Sequence, residues 1–369
     1  MKIVIDVRTM GSKPSGIGIY AFNYIMELLK SRHEIILLTD VATSGEMEVM
    51  RKKGVEIIAY GSVIYQSAQV FKYFAFVNEQ LIKLQPDLFW EPNIIIPRKL
   101  KGFKGKVMIT IHDMFPITHK QYFGLKYSLY FRLMLGFTLK NTDIILYNSK
   151  ETRAETEKYF KGAKNAKGIV QYIIVPRVEK VPQSGNIRPE VENQKDYFLY
   201  VGNLEKRKGV DLVLDAFEKY KENGGSARLV LAGKSREQDI DAKIAALSKK
   251  YSDFVSLGYV SDEEKQYLYA YCKCFLFPSR AEGFGISVLE AMNYYKPVIA
   301  SDLSIFQEIV GNCINYFKLT GNNVDDAANL CKTLTNFTEN VDKSVYDEVM
   351  TRYTAETLGK KVIEVFDNI

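Results

Sequence analysis

Short apolar runs of strand length recur along the whole chain, and most show no alternation of apolar and polar positions. Lys2–Val7, Glu34–Thr39, Asp87–Trp90, Val107–Ile111, Asp143–Tyr147 and Ile169–Val175 form one set. Tyr197–Val201, Arg228–Ala232, Phe254–Leu257, Cys274–Phe277 and the segment opening at Lys296-Pro297 form a second. Continuous apolar character at that length suits strands covered on both faces, as in a parallel sheet. Segments with helical spacing lie between them: about Ile17 to Lys30, 63–85, Gln121–Leu139, Ile286–Tyr294, and two stretches near 324–337 and 354–366. Asn148-Ser149 offers a cap for one further helix. Strands alternating with helices predict the α/β class.

A length of 369 residues fits two domains better than one. The pattern places them at 1–180 and 190–353, joined by a linker over Val181–Asp196 that carries prolines, a glycine and mixed charges. With 47% apolar and 25% charged residues the composition is that of a globular protein. Four cysteines, two of them in Cys272-x-Cys274, make neither a disulfide framework nor a zinc quartet, so a reduced compartment is expected. Met1-Lys-Ile-Val-Ile-Asp6 enters a strand directly, and no signal peptide or membrane-spanning helix is expected. The expected location is cytoplasmic.

The net charge of +6 hides an asymmetry. Residues 1–180 hold 27 Lys and Arg against 16 Asp and Glu, a balance of +11, and the remainder hold 23 against 28, a balance of −5. A basic first half suits an anionic surface or acceptor. It equally suits a solvated face. Five basic residues fall within Arg98–Lys106, and Gln121–Leu139 is rich in aromatics with Lys126 and Arg132 among them. That second segment reads either as core packing or as an amphipathic helix touching lipid.

Candidate chemistry is densest at Phe275–Met292. A buried strand stops at Pro278-Ser279, a loop follows in which Gly283 and Gly285 flank Phe284, and a helix begins at Ile286. The amides of Phe284, Gly285, Ile286 and Ser287 then face outward at a helix start, an arrangement that receives anions. Glu282 and Glu290 bracket it, spaced so that one acid meets a sugar and the other a ribose with a pyrophosphate between. A plain loop with a surface glutamate is the alternative. At the end of another strand, Gly202-Asn203-Leu-Glu-Lys-Arg207-Lys208-Gly209 sets a basic pair beside a glycine loop, which suits a diphosphate. Gly16-x-Gly18-x-x-Ala21 satisfies a dinucleotide-binding pattern, with Asp40 near the position of a ribose acid, and keeps an NAD-dependent oxidoreductase open. His112-Asp113-Met-Phe-Pro116 closes a strand at its carboxyl end, where open α/β sheets bind ligands. No Asp-x-Asp pair ends a strand, so neither a metal nor a separate cofactor is expected.

Glu282-x7-Glu290, set in Glu-Gly-Phe-Gly-x-x-x-Leu-Glu-Ala-Met, resembles the signature of the retaining glycosyltransferases of family 4, and mannosyltransferase-like members in particular. The resemblance implies the GT-B fold, two Rossmann-like domains whose parallel sheets face across a cleft, with the last helix returning to the first domain. It implies roles as well. Glu282 would hold sugar hydroxyls, Glu290 the ribose, and Arg207 and Lys208 the diphosphate. His112 would orient the sugar and support positive charge, while Tyr259 and Val260 would lie near the base. Gly16 and Gly18 would belong to a loop reaching donor or acceptor, in which Ile19 replaces the usual Arg. Asn203 stands where Arg is common, and Tyr294-Tyr295 where Cys-Gly is common.

The implied reaction moves a sugar from a nucleoside diphosphate sugar, GDP-mannose before a UDP- or dTDP-sugar, to a hydroxyl of a glycan or lipid-linked oligosaccharide. Nucleic acid is not an expected partner. Peripheral contact with an anionic membrane through the basic first domain is. A glycoside hydrolase and a non-catalytic membrane-surface protein remain as other readings.

Overall fold

In the computed structural model the described residues are 1–64, 67–97, 100, 102–178 and 187–369. They form two compact units, one of residues 1–174 with 353–369, the other of 175–352. Part of the expected linker, and Arg98, Lys99 and Lys101 of the basic run, lie outside the described residues.

The first unit carries a seven-stranded sheet: β1 Lys2–Asp6, β2 Glu34–Thr39, β3 Glu56–Ala59, β4 Leu88–Glu91, β5 Lys106–Ile111, β6 Ile144–Tyr147 and β7 Lys167–Val170. Its order is β3-β2-β1-β4-β5-β6-β7, parallel throughout. Leu88-Phe-Trp-Glu91 and Ile144–Tyr147 are buried along their whole length, as strands covered on both faces must be. The C-terminal helix Ala355–Asp367 belongs to this unit and packs on helix Gly16–Leu28. Phe366 meets the buried Trp90 edge to face at 5.4 Å, and Asp367 pairs with His33 at 3.1 Å.

The second unit carries a six-stranded parallel sheet: β8 Tyr197–Val201, β9 Arg228–Ala232, β10 Phe254–Ser256, β11 Cys274–Phe277, β12 Val298–Ser301 and β13 Asn315–Phe317, in the order β10-β9-β8-β11-β12-β13. Its core joins Phe198, Leu229, Leu231, Leu276 and Ile299 of the sheet to Leu212, Val213 and Phe217 of the covering helix Val210–Glu222.

Several elements depart from the sequence pattern. The helix expected over Gln121–Leu139 is interrupted at Gly124, whose φ of +79° separates a turn at Lys120–Phe123 from a helix at Leu125–Leu139. The strand expected at Ile169–Val175 is β7 and ends at Val170. Edge strand β3 and the three-residue β13 carry too few buried apolar residues to register as runs.

Candidate active site

In both sheets the strand order reverses once, between β1 and β4 in the first unit and between β8 and β11 in the second. Loops leaving the carboxyl ends of two such neighbours diverge and open a crevice, the usual ligand position in open α/β sheets.

In the second unit the loop after β8 presses onto the loop after β11. Gly209 has φ +72°, and a Cβ there would stand 1.9 Å from the Pro278 carbonyl oxygen. Only glycine allows that approach. The contact carries Lys208 to Glu282, Nζ to Oε1 at 2.5 Å, and the Ser279 hydroxyl donates to the same oxygen at 2.6 Å. The Glu282 side chain is only 8% exposed. Arg207 donates to Glu205 Oε1 at 2.6 Å and to the Ala281 carbonyl at 3.1 Å. Arg280 forms a bidentate pair with Asp211, at 2.7 and 2.8 Å, while its backbone N–H donates to the Arg207 carbonyl. Lys208, Arg207 and Arg280 each have a carboxylate of their own: Glu282, Glu205 and Asp211. An arriving anion therefore meets cations already positioned, and takes them by partner exchange.

Past this junction, Phe284 is buried and Gly285, at φ +96°, starts the seven-residue helix Ile286–Met292. A Cβ on Gly285 would lie 2.7 Å from the Phe306 ring. Ile286 and Ser287 are half-buried in the first turn. Glu290 accepts from Lys265 Nζ at 3.0 Å through one oxygen and from the Tyr269 hydroxyl at 3.1 Å through the other. Burial alone would depress the Lys265 pKa, but the Glu290 and Asp262 carboxylates together outweigh it and the ammonium ends above its ordinary value. Tyr259 is an exposed ring with Lys234 Nζ 5.6 Å from its centroid, and its carbonyl accepts from Arg188. Val260 beside it is half-buried. Asn203 is exposed, its carbonyl accepting from the buried Tyr200 hydroxyl at 2.8 Å.

The structure thus joins Lys208 to Glu282 directly, brings Arg207 onto the neighbouring Ala281 carbonyl, and sets Phe284–Ser287 and Glu290 further along the same strand–loop–helix segment. Tyr259 and Val260 stand on a separate loop, between β10 and the helix Asp262–Tyr271. Sequence reasoning missed Ser279, Arg280, Asp211, Lys265 and Tyr269. Arg280 sits inside the stretch singled out, but nothing local announces that its partner is 69 positions away.

In the first unit His112 follows β5. Its Nε2 lies 2.8 Å from the Pro92 carbonyl, which can only accept, so Nε2 bears the proton and Nδ1 is left as an acceptor. Burial lowers its pKa to about 4. The ring is therefore neutral near pH 7, with Nδ1 able to accept a hydrogen bond. Tyr20 packs edge-on against the ring at 4.8 Å, and the His112 carbonyl accepts from Asn148 at 2.8 Å. Gly16 opens helix Gly16–Leu28 and is exposed, whereas Gly18 is buried in the same helix and donates to its cap, Ser15. Both oxygens of Asp40 accept backbone amides, from Val41 at 2.7 Å and Ile64 at 3.1 Å. It is a loop clamp, and the dinucleotide reading loses its ribose acid.

The β1/β4 reversal holds a cluster the sequence did not announce. Asp6 and Glu91 are both buried at strand ends beside Arg8 and Tyr73. Tyr73 donates to Asp6 at 2.8 Å, and the Asn93 amide to Glu91 at 3.0 Å. Burial raises both carboxyl pKa values, and for Glu91 the Asp6 charge adds to it.

Among the described residues no group of acids, histidines and cysteines is arranged to hold a metal ion, and no helix is long and apolar enough to cross a membrane.

Residues 185–343 match the family described as glycosyl transferases group 1, and residues 14–167 the one described as glycosyltransferase family 4. The O-antigen chain mannosyltransferase B of Escherichia coli is 28% identical over 232 residues, covering 61% of this chain and 59% of its own. The chain thus spans under two thirds of that relative. The O-antigen biosynthesis glycosyltransferase WclY of Escherichia coli is 23% identical over 377 residues, 100% of this chain and 99% of its own. The Anabaena protein HepE, solved in complex with UDP and glucose, matches over 100% of both chains with a TM-score of 0.74 at 16% identity. That likeness is one of fold, the GT-B arrangement of two Rossmann-like domains.

Proposed function

Because the chain belongs to glycosyltransferase family 4, we propose that it moves a sugar from a nucleoside diphosphate sugar to a hydroxyl of a glycan or lipid-linked oligosaccharide, with retention at the anomeric carbon. The observation that carries this reading is the Lys208–Glu282 pair at the β8/β11 reversal. A diphosphate entering there draws Lys208 and Arg207 from their carboxylates. The exchange leaves Glu282 with a free oxygen beside the phosphate, placed to accept hydroxyls of the attached sugar. Glu290, already fixed by Lys265 and Tyr269, offers its remaining lone pairs to the ribose hydroxyls. The amides of Phe284–Ser287 support the phosphates, and Asn203, Tyr259 and Val260 border the nucleotide. His112, neutral, accepts a substrate hydroxyl through Nδ1.

The bond that breaks joins the anomeric carbon to the diphosphate oxygen. Charge grows on that oxygen in the transition state, and fixed cations stabilise it more than they stabilise the ground state. The acceptor oxygen attacks from the face the diphosphate leaves, and its proton passes to a departing phosphate oxygen. Glu282, still held by the Ser279 hydroxyl, serves in this proposal as a hydroxyl acceptor rather than a covalent nucleophile. Arg207 and Lys208 supply the countercharge themselves, so transfer is expected to survive chelation of divalent ions.

Similarity to an O-antigen mannosyltransferase supports GDP-mannose as donor. The UDP complex of HepE supports a UDP-sugar as second reading. A donor-hydrolysis screen across GDP-, UDP- and dTDP-sugars decides between them, with EDTA added in a parallel series. Release of free sugar from GDP-mannose alone, unchanged by EDTA, is the expected result. Hydrolysis of none of the donors, with no thermal stabilisation by any nucleoside diphosphate, would overturn the reading.

A further inference from the structure

Arg280 differs from the two cations beside it. The Lys208 ammonium has three N–H donors and meets one oxygen of Glu282. Arg280, by contrast, has both hydrogens of each terminal nitrogen engaged. One nitrogen donates to the Lys206 carbonyl and to Asp211 Oδ1, the latter at 2.7 Å. The other donates to Asp211 Oδ2 and to the Asn323 side-chain oxygen, each at 2.8 Å. The Arg280 and Asp211 side chains are only 15% and 11% exposed. A bidentate guanidinium–carboxylate pair is strong and geometrically demanding. Closed in this way, Arg280 has no terminal N–H left to give a phosphate.

What the fork holds is the turn that presents the diphosphate cations. Lys206–Lys208 is a single short helical turn. Such turns have few and imperfect bonds of their own. Here the Lys208 amide donates to the Glu205 carbonyl at 3.0 Å and the Gly209 amide to the Lys206 carbonyl at 2.9 Å. The Arg280 side chain adds a second donor to that Lys206 carbonyl, and the Arg280 backbone N–H donates to the Arg207 carbonyl at 2.9 Å. One residue thus fixes the peptide planes on both sides of Arg207. On its far side the fork is anchored to two helices, through Asp211 in the first turn of Val210–Glu222 and Asn323 at the start of Asn323–Asn336.

We propose that Arg280 is a positioning residue for the diphosphate site, holding the Lys206–Arg207 peptide so that the Arg207 guanidinium stands preset for a phosphate while Arg280 itself touches no part of the donor. This role rests on the transferase reading above. A preset cation stabilises the leaving diphosphate without reorganising as its charge grows. A turn without the fork has to be ordered by the ligand, and that ordering weakens binding.

The test is calorimetric titration of GDP, UDP and the matching monophosphates into wild type, Arg280→Lys and Asp211→Asn. Lysine keeps the charge and loses the fork. Whichever diphosphate binds wild type should bind Arg280→Lys at least tenfold more weakly, and its monophosphate less than threefold more weakly. Asp211→Asn keeps the side-chain volume and breaks the bidentate pair. It should lower diphosphate affinity about threefold, and it carries the test if Arg280→Lys does not fold. In an Arg207→Met background Arg280→Lys should cost less than twofold, because the cation it positions is gone. Equal diphosphate affinity in wild type and Arg280→Lys, with only the urea midpoint lowered, would reduce Arg280 to a fold contact and leave the transferase reading standing. Fully additive losses with Arg207→Met would make Arg280 a direct ligand and overturn the positioning role. Binding of neither diphosphate to wild type would remove the transferase reading, and this role with it.

Discussion

The two strand-order reversals share a topology and hold opposite electrostatics. At β8/β11 the carboxylates are matched by cations: Lys208 on Glu282, Arg207 on Glu205 and Arg280 on Asp211. At β1/β4 two buried carboxyls, Asp6 and Glu91, crowd around Arg8, and burial pushes both toward the protonated form. The same crevice is a charge-balanced cation cradle in one unit and a pair of buried acids shifted toward protonation in the other. The fold supplies a place for chemistry, and side chains decide its sign.

The strongest way to break this contrast is Lys208→Met. It removes the diphosphate cation and leaves the nearly buried Glu282 without a countercharge, held by the Ser279 hydroxyl. Turnover should fall by about 100-fold or more, as for loss of one preorganised electrostatic group. Stability should fall by about 3 kcal/mol, and adding Glu282→Gln should restore most of it, because a lone buried charge costs more than a neutral pair. Urea unfolding of the single and double variants checks this, and additive losses would contradict it.

Glu282→Gln alone should separate binding from chemistry. Lys208 is freed, so nucleoside diphosphate affinity should hold or rise, while turnover drops by about 10–100-fold for want of the sugar contact. Near-normal turnover would reduce Glu282 to a structural partner of Lys208.

What could be read from the sequence divides along the same line. Cys274–Phe277 and Tyr197–Val201 announced themselves as strands, because full burial on both faces demands unbroken apolar runs. Glu282, Arg207 and Lys208 stood out by local context. Their pairing did not, since Lys208 and Glu282 are 74 positions apart and meet only through Gly209 and Pro278. Nothing local singles out Asp6 or Glu91, and their proximity is a product of strand order. The Leu125–Leu139 helix resisted reading for another reason. Apolar residues on both faces erase the amphipathic period, so sequence alone left core and lipid contact open.

Smaller effects sharpen the first unit's half of the comparison. The pKa of His112 falls from about 6.5 unfolded to about 4 folded. Between those values the unfolded chain binds the extra proton, so stability is fully present above about pH 6.5 and is lost as pH drops toward 4. This contribution amounts to at most about 3.4 kcal/mol. Following the imidazole resonance by NMR should show no titration between pH 8 and 5.5, and a midpoint near 6.5 would contradict the buried, neutral ring.

Glu91 carries the opposite sign. Its raised pKa lets the folded state keep a proton that the unfolded state has lost, so this contribution is present at low pH and fades as pH rises above about 4.5. Glu91→Gln should gain stability relative to wild type at pH 8 compared with pH 5, with diphosphate affinity untouched. An unchanged pH profile would mean that the acid pair holds no proton.

The central claim, that the β8/β11 reversal receives a nucleoside diphosphate through Lys208, is met most directly by calorimetric titration of GDP and UDP into wild type and Lys208→Met. The account predicts saturable binding of at least one of them to wild type and binding roughly 10–150-fold weaker to the variant, the range expected for one charged hydrogen bond. Equal affinity in the two proteins, or no binding to wild type, would contradict it.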